Sequence, residues 1–158
     1  MGTEIERKFL VTSEAWRDGS AGTALKQGYL NREPDRTVRI RIAGDAAFIT
    51  IKGRREGIAR DEFEYPIPVA DAEGLLAMCL PSPVIKTRYL VHHEGHCWEV
   101  DEFHGDNEGL IVAEIELSSV DEPFSRPPWL GEEVSLDSRY FNSRLAQFPY
   151  KAWPQPPG

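Results

Sequence analysis

In an extended strand successive side chains point to opposite faces, so a run alternating charged and apolar residues commits its two faces to different surroundings. Seven stretches of this chain alternate in that way, and their charged faces are grouped by sign. "TEIERKFLV" sets Glu4, Glu6 and Lys8 against Ile5, Phe9 and Val11. "TVRIRIAG" sets Arg39 and Arg41 against Val38, Ile40 and Ile42, and "AFITIKG" sets Phe48, Thr50 and Lys52 against Ile49 and Ile51. "ARDEFEYPI" places Arg60, Glu62 and Glu64 opposite Phe63, Tyr65 and Ile67. "VIKTRYLV" places Lys86 and Arg88 opposite Ile85, Thr87 and Tyr89. "CWEVDEF" carries Glu99 and Asp101, and "IVAEIELSS" carries Glu114 and Glu116. With "LKQGYLN" added, about eight strands result, separated by turn signals at "AGDA", "GRREG" and "HEGH". Short connections make neighbouring strands antiparallel.

A surface kept for solubility intersperses its signs, whereas like charges two residues apart repel unless a ligand of opposite charge lies between them. The first and last strands carry matching acid pairs. If the sheet closes into a barrel, Glu4 and Glu6 approach Glu114 and Glu116, and so many carboxylates ionise together only with a divalent cation among them. Oxygen donors suit Mg²⁺ or Mn²⁺ and not zinc. Closure would turn every charged face inward and every apolar face outward, under the helices. About eight strands leave room for filling side chains or one small ligand. Opposed basic and acidic linings then point to an elongated polyanion bridged to carboxylates by metal, in other words a polyphosphate tunnel.

The remaining segments fit this plan. "ADAEGLLAMCL" reads as a short helix with Leu75, Leu76 and Met78 available for packing. "PPWLGEEVSLDSRYFNSRLAQF" reads as one or two further helical pieces, with Pro128 near a helix start. The expected class is therefore α+β, mainly β, an eight-stranded antiparallel closed β-barrel with a charged lumen and a few helices outside. At 158 residues this is one domain over 1–150, with 151–158 a proline-rich, flexible tail. A formal charge of −8 argues against coating a nucleic-acid polymer. No run of about 20 apolar residues and no signal peptide is visible, and Cys79 and Cys97 lack metal-like spacing. These features point away from a membrane and to a cytoplasmic protein with free, buried thiols. His92, His93 and His96 fall at a Gly-containing turn and read as a solvated hairpin tip. Arg54 and Arg55 of "KGRREGIAR" lie between glycines and read as exposed. A homodimer is a further expectation, with Trp129 and Trp153 as exposed aromatics.

Glu4-Ile-Glu6-Arg-Lys8 resembles the E-x-E-x-K signature of the CYTH domain, the triphosphate tunnel metalloenzymes. The likeness covers almost the whole chain: "QGYL", R-x-R at Arg39 and Arg41, "TIK" ending at Lys52, E-x-E at Glu62 and Glu64, "KTRY", "VDEF", "AEIEL" and the late "GEEVSLDSRYFNSRLA" follow in order. The resemblance implies a barrel that binds a small-molecule triphosphate and uses divalent metal, one or two ions. The chain is most similar to short bacterial members that hydrolyse inorganic tripolyphosphate to diphosphate and phosphate. Nucleoside and thiamine triphosphatases and adenylate cyclases are alternatives within the family, and a triphosphate-binding module is the non-enzymatic one. On this reading Lys8, Arg39, Arg41, Lys52, Lys86 and Arg88 bind the triphosphate, and Glu4, Glu6, Asp101, Glu114 and Glu116 serve the metal. Lys8, Lys86, Glu62 and Glu64 are the catalytic candidates, and Glu62 and Glu64 either join the metals or orient the arginines opposite. Tyr29, by parity with Gln27, and Arg139, from the C-terminal segment, are additional candidates for the bore.

Overall fold

A computed structural model describes residues 2–81 and 83–154. Nine strands run in chain order: β1 (Gly2–Val11), β2 (Thr23–Tyr29), β3 (Thr37–Ala43), β4 (Ala46–Lys52), β5 (Ala59–Ile67), β6 (Val84–His93), β7 (His96–His104), β8 (Ile111–Glu116) and β9 (Leu130–Glu133). The sheet order is β5-β4-β3-β2-β6-β7-β8-β1-β9, and a β5–β1 pairing closes the first eight into an antiparallel barrel.

Strand β1 makes closure possible because it has three partners. Its first residues pair with β5, with Glu4 opposite Arg60, and Glu6 to Leu10 pair with β8. Where β5 gives out, β9 takes over the same edge, with Phe9 opposite Glu133 and Val11 opposite Leu130. The sequence reading placed a helix start at Pro128. The chain there forms β9 instead, because an unpaired edge of β1 offers backbone hydrogen bonds that a four-residue run can satisfy.

The apolar faces turn outward and are covered over much of their area, while Ile51, Tyr65 and Ile85 stay exposed. Helix α1 (Val69–Ala77) lies on β3 and β4, with Leu75 and Leu76 packed around Ile40, Ala47 and Ala72. Met78, expected to pack with them, is exposed. On the opposite side Phe9, Trp98, Val100, Ala113 and Ile115 are sealed by Trp16, Leu117, Trp129 and Leu130. Trp98 meets Phe9, Phe124 and Trp129 edge to face, with centroids 5.6–5.8 Å apart, an arrangement that adds to the area buried.

The third cluster has a different role. Val84, Phe103 and Val112 share strand parity with Gln27, Lys86 and Asp101 respectively, so they face inward. They pack with Tyr29, Tyr140, Leu145, Ala146 and Trp153. The C-terminal segment, a 3₁₀ turn at Ser138–Tyr140 and helix α2 (Asn142–Leu145), thus fills one end of the barrel with apolar side chains. Trp153, in the segment expected to form the tail, is 7% exposed and stands 5.2 Å from the Tyr140 ring. Residues 155–158 of that expected tail lie outside the described residues. Trp129 and Trp153, expected to be exposed, are both buried, whereas Tyr65 and Phe148 are exposed. No described helix is long and apolar enough to cross a membrane.

Candidate active site

The charged faces do converge. A cavity of about 440 Å³ is lined by Glu4, Glu6, Lys8, Tyr29, Arg39, Arg41, Lys52, Glu62, Glu64, Arg88, Glu114 and Glu116 among the residues expected there. Tyr29 is among them, as its parity with Gln27 suggested. Lys86, Asp101 and Arg139 are not.

Cross-strand register sorts the groups. Glu6 stands opposite Glu116 and Lys8 opposite Glu114, while Glu99 stands opposite Glu114. Ligand oxygens of Glu4, Glu6 and Glu116 all fall within 4.8 Å of one another. Burial raises the Glu6 carboxyl well above its usual range, and Glu114, which shares a hydrogen bond with it, adds to the rise. Burial with the charges of Glu4 and Glu62 pushes Glu116 up to about 7. Glu62 and Glu99 are raised as well, chiefly by burial. Burial alone would also raise Glu114, but Lys8, the hydrogen bond from Glu6 and Arg88 hold it well below the ordinary carboxylate range. Mutually repelling carboxylates with close ligand atoms fit a hard divalent cation, whose charge would reverse these shifts.

The basic groups stand against this acidic side. Lys52 Nζ donates to Glu4 Oε2 at 2.7 Å and lies 3.6 Å from Glu62 Oε2. Arg39 donates to Thr50 Oγ1 at 3.2 Å and to Glu64 Oε2 at 3.4 Å, and Thr50 donates to the same Glu64 oxygen at 2.8 Å. Glu64 therefore orients an arginine, whereas Glu62 hydrogen-bonds with Glu4. Arg41 Nε donates to Gln27 Oε1 at 2.7 Å. Arg39 Nε is buried without a hydrogen-bond acceptor among the described residues. A buried guanidinium donor of this kind is costly unless a ligand oxygen meets it.

Asp101, expected to serve the metal, is committed elsewhere. Its Oδ1 accepts from Arg88 Nε at 2.8 Å, and its Oδ2 accepts from Arg88 Nη2 at 2.9 Å and from Lys86 Nζ at 2.7 Å. Burial would raise its carboxyl, yet Lys86 and Arg88 hold it below its usual value. Lys86 is fully buried, also donates to Asn142 Oδ1 at 3.0 Å, and is pulled down to about 7 by burial against the opposing charge of Asp101. Arg139 is outside the bore, paired with Asp137 at 2.7 Å and lying over the Tyr140 and Trp153 rings. Its own carboxylate partner two residues away explains why it never reaches the barrel.

Several lining residues escaped the sequence reading, namely Thr37, Arg55, Cys97, Asn142 and Ser143, and Arg60 and Glu99, placed on the inward face, were given no role there. Cys97 also had the right parity. Arg55, expected at an exposed turn, leans its guanidinium over Phe141 at 3.9 Å from the ring centroid. Cys97, expected to be buried, is exposed, and no disulfide links it to Cys79. At the β6–β7 hairpin tip His96 pairs with Glu122 at 2.7 Å and His93 with Ser125 at 3.2 Å, so these histidines tie down a loop.

An eight-stranded barrel whose bore opposes carboxylates to arginines and lysines defines a class of anion-binding tunnel proteins. The CYTH domain family model matches residues 2–147, and the chain belongs to that family. It is 47% identical over 152 residues to an inorganic triphosphatase of Acetivibrio thermocellus, covering 96% of this chain and 97% of that one. It is 40% identical over 149 residues to an inorganic triphosphatase of Nitrosomonas europaea, covering 91% and 97%. Among solved structures it is similar to the inorganic triphosphatase NE1496, with a TM-score of 0.66 and 39% identity over 92% of this chain and 95% of that one.

Proposed function

We propose that this protein is an inorganic triphosphatase that hydrolyses tripolyphosphate to diphosphate and phosphate within its barrel, in the cytoplasm, with Mg²⁺ or Mn²⁺ held by Glu4, Glu6 and Glu116. The observation that carries the reading is the opposition, across one cavity, of a close carboxylate trio and a row of guanidinium and ammonium groups. The likeness to two inorganic triphosphatases over nearly the full length of each chain supports the same substrate.

Tripolyphosphate carries several negative charges, and that charge repels an attacking water. Arg39, Arg41, Arg88, Lys8 and Lys52 line the cavity and neutralise phosphate oxygens; the planar arginine forks also fix their direction. Arg88 is held by two bonds to Asp101, and Arg41 by Gln27, so these donors are aimed before substrate arrives. A bound divalent ion supplies charge neutralisation and a more acidic water at the carboxylate side. In the reaction the water oxygen bonds to a terminal phosphorus, the anhydride P–O bond breaks, diphosphate leaves with the electron pair, and the water's proton passes to the leaving diphosphate oxygen or to solvent. The protein contributes no covalent nucleophile.

The test is product analysis on a panel of tripolyphosphate, ATP and thiamine triphosphate, each with Mg²⁺ and with Mn²⁺. Equal phosphate and diphosphate from tripolyphosphate, abolished by excess EDTA, is expected. Binding of tripolyphosphate without any product would leave a binding module in its place.

A further inference from the structure

Arg60 is a charged side chain only 6% exposed that lines the cavity, and its Nη2 has no hydrogen-bond acceptor among the described residues. Its Nε is occupied, donating to Gly53 O at 3.0 Å, which points the guanidinium toward the β4–β5 hairpin. Glu4, its cross-strand neighbour, gives its Oε2 to Lys52 at 2.7 Å. Arg55, from that hairpin, lines the same cavity, and the two cations lie close enough that Arg55, after burial, lowers the Arg60 pKa. Two neighbouring guanidinium groups, one with a buried donor unmet, are destabilising by themselves and become favourable around an anion.

The surroundings fix where such an anion would lie. Arg55 stacks on Phe141, Lys8 Nζ donates to Tyr140 O at 3.0 Å, and Asn142 accepts from Gln27 and Lys86. The turn at residues 140–143 is thereby pinned from four sides, and Ser143 joins Arg55 and Arg60 in lining the cavity. We propose that Arg60 and Arg55 form a phosphate subsite beside this turn, which takes the terminal phosphate group of the substrate. The proposal rests on the triphosphatase reading and adds binding residues to it. Released orthophosphate has the same oxygens and competes for the same subsite.

The experiment compares wild type with Arg60→Gln, Arg60→Lys and Arg55→Ala, measuring kcat and KM on tripolyphosphate, inhibition by orthophosphate, and calorimetric binding of tripolyphosphate. Loss of one charge-assisted contact predicts that Arg60→Gln raises KM and the orthophosphate inhibition constant together by about tenfold, with kcat changed by less than about threefold. Arg60→Lys recovers part of the loss, and Arg55→Ala, which removes a half-exposed side chain without threatening the fold, raises KM by about threefold. An unchanged KM in folded Arg60→Gln and in Arg55→Ala overturns the subsite and leaves Arg60 as a brace for the hairpin. If wild type cleaves no tripolyphosphate yet binds it, and binding weakens in these variants, the hydrolase reading fails while the subsite stands.

Discussion

Asp101→Asn keeps the shape of a side chain only 1% exposed and removes the charge that two cations share. Lys86 Nζ, 2.7 Å from Asp101 Oδ2, would keep only neutral acceptors, Asn142 Oδ1 and the amide oxygen of the substituted side chain. Arg88 would keep weaker contacts to Glu99 at 3.2 Å and Glu114 at 3.5 Å. Breaking a buried ion pair from one side costs about 3–5 kcal/mol, because a charge is left without its counterion. In a chain of this size each kcal/mol moves the melting temperature by about 2–4 °C, so a fall of about 6–20 °C is expected by calorimetry. Burial already brings Lys86 to about 7, and losing Asp101 lowers it further. Between the two values the variant's folded state binds fewer protons than wild type's, so its deficit is largest below neutrality and shrinks as pH rises through about 7. Combining Asp101→Leu with Lys86→Met should recover only the part of the loss due to Lys86, because Arg88 stays buried with only its weaker contacts to Glu99 and Glu114. A single variant melting within about 2 °C of wild type would refute the claim that Asp101 is the anchor of the basic wall.

Four further outcomes follow from the same contacts. Glu116→Gln should lower turnover by at least about tenfold and weaken Mn²⁺ binding in a calorimetric titration. Arg41→Gln should raise the KM for tripolyphosphate by about tenfold or more, through loss of a charged donor. Without metal, the unfolded carboxylates release protons near 4.5, while folded Glu116 holds its proton to about 7 and Glu6 is also raised. The native state then binds more protons, so stability should fall as pH rises from about 5 to about 6, before folded Lys86, lowered to about 7, starts to lose its proton and opposes the fall, and saturating Mg²⁺ should abolish that slope. Glu4, Glu114 and Asp101 have lowered values, so they act in the opposite sense only as pH falls below the ordinary carboxylate range. A flat or rising metal-free melting curve over that interval would contradict the clustering. Gly28→Ala places a Cβ 2.9 Å from Cys79 Cβ and 3.0 Å from its Sγ, and should cost about 1–3 kcal/mol in urea unfolding.

Strand parity made the barrel and most of its lining legible, because a period of two assigns each side chain to a face once the strand is known. That is why Arg39, Arg41, Lys52, Glu62 and Glu116 arrive where expected. Parity does not report depth along the bore. Lys86 and Asp101 face inward, yet they lie beneath Asn142 and neutralise each other instead of meeting the cavity. Loops carry no period at all, so Arg55 looked like a solvated turn residue until Phe141, distant in sequence, gave it a surface to stack on. Strand β9 lacked alternation because only an edge of β1 recruits it. Trp153 looked like part of a frayed tail because its partner, Tyr140, sits in a turn whose position depends on the closed barrel.

A crystal of the protein grown with Mn²⁺ and tripolyphosphate tests the convergence of charges on one bore most directly. Anomalous scattering should place manganese among Glu4, Glu6 and Glu116, with phosphate density running between them and Arg39, Arg41 and Arg88. Manganese away from those carboxylates, or tripolyphosphate bound on the outer face of the barrel, would contradict it.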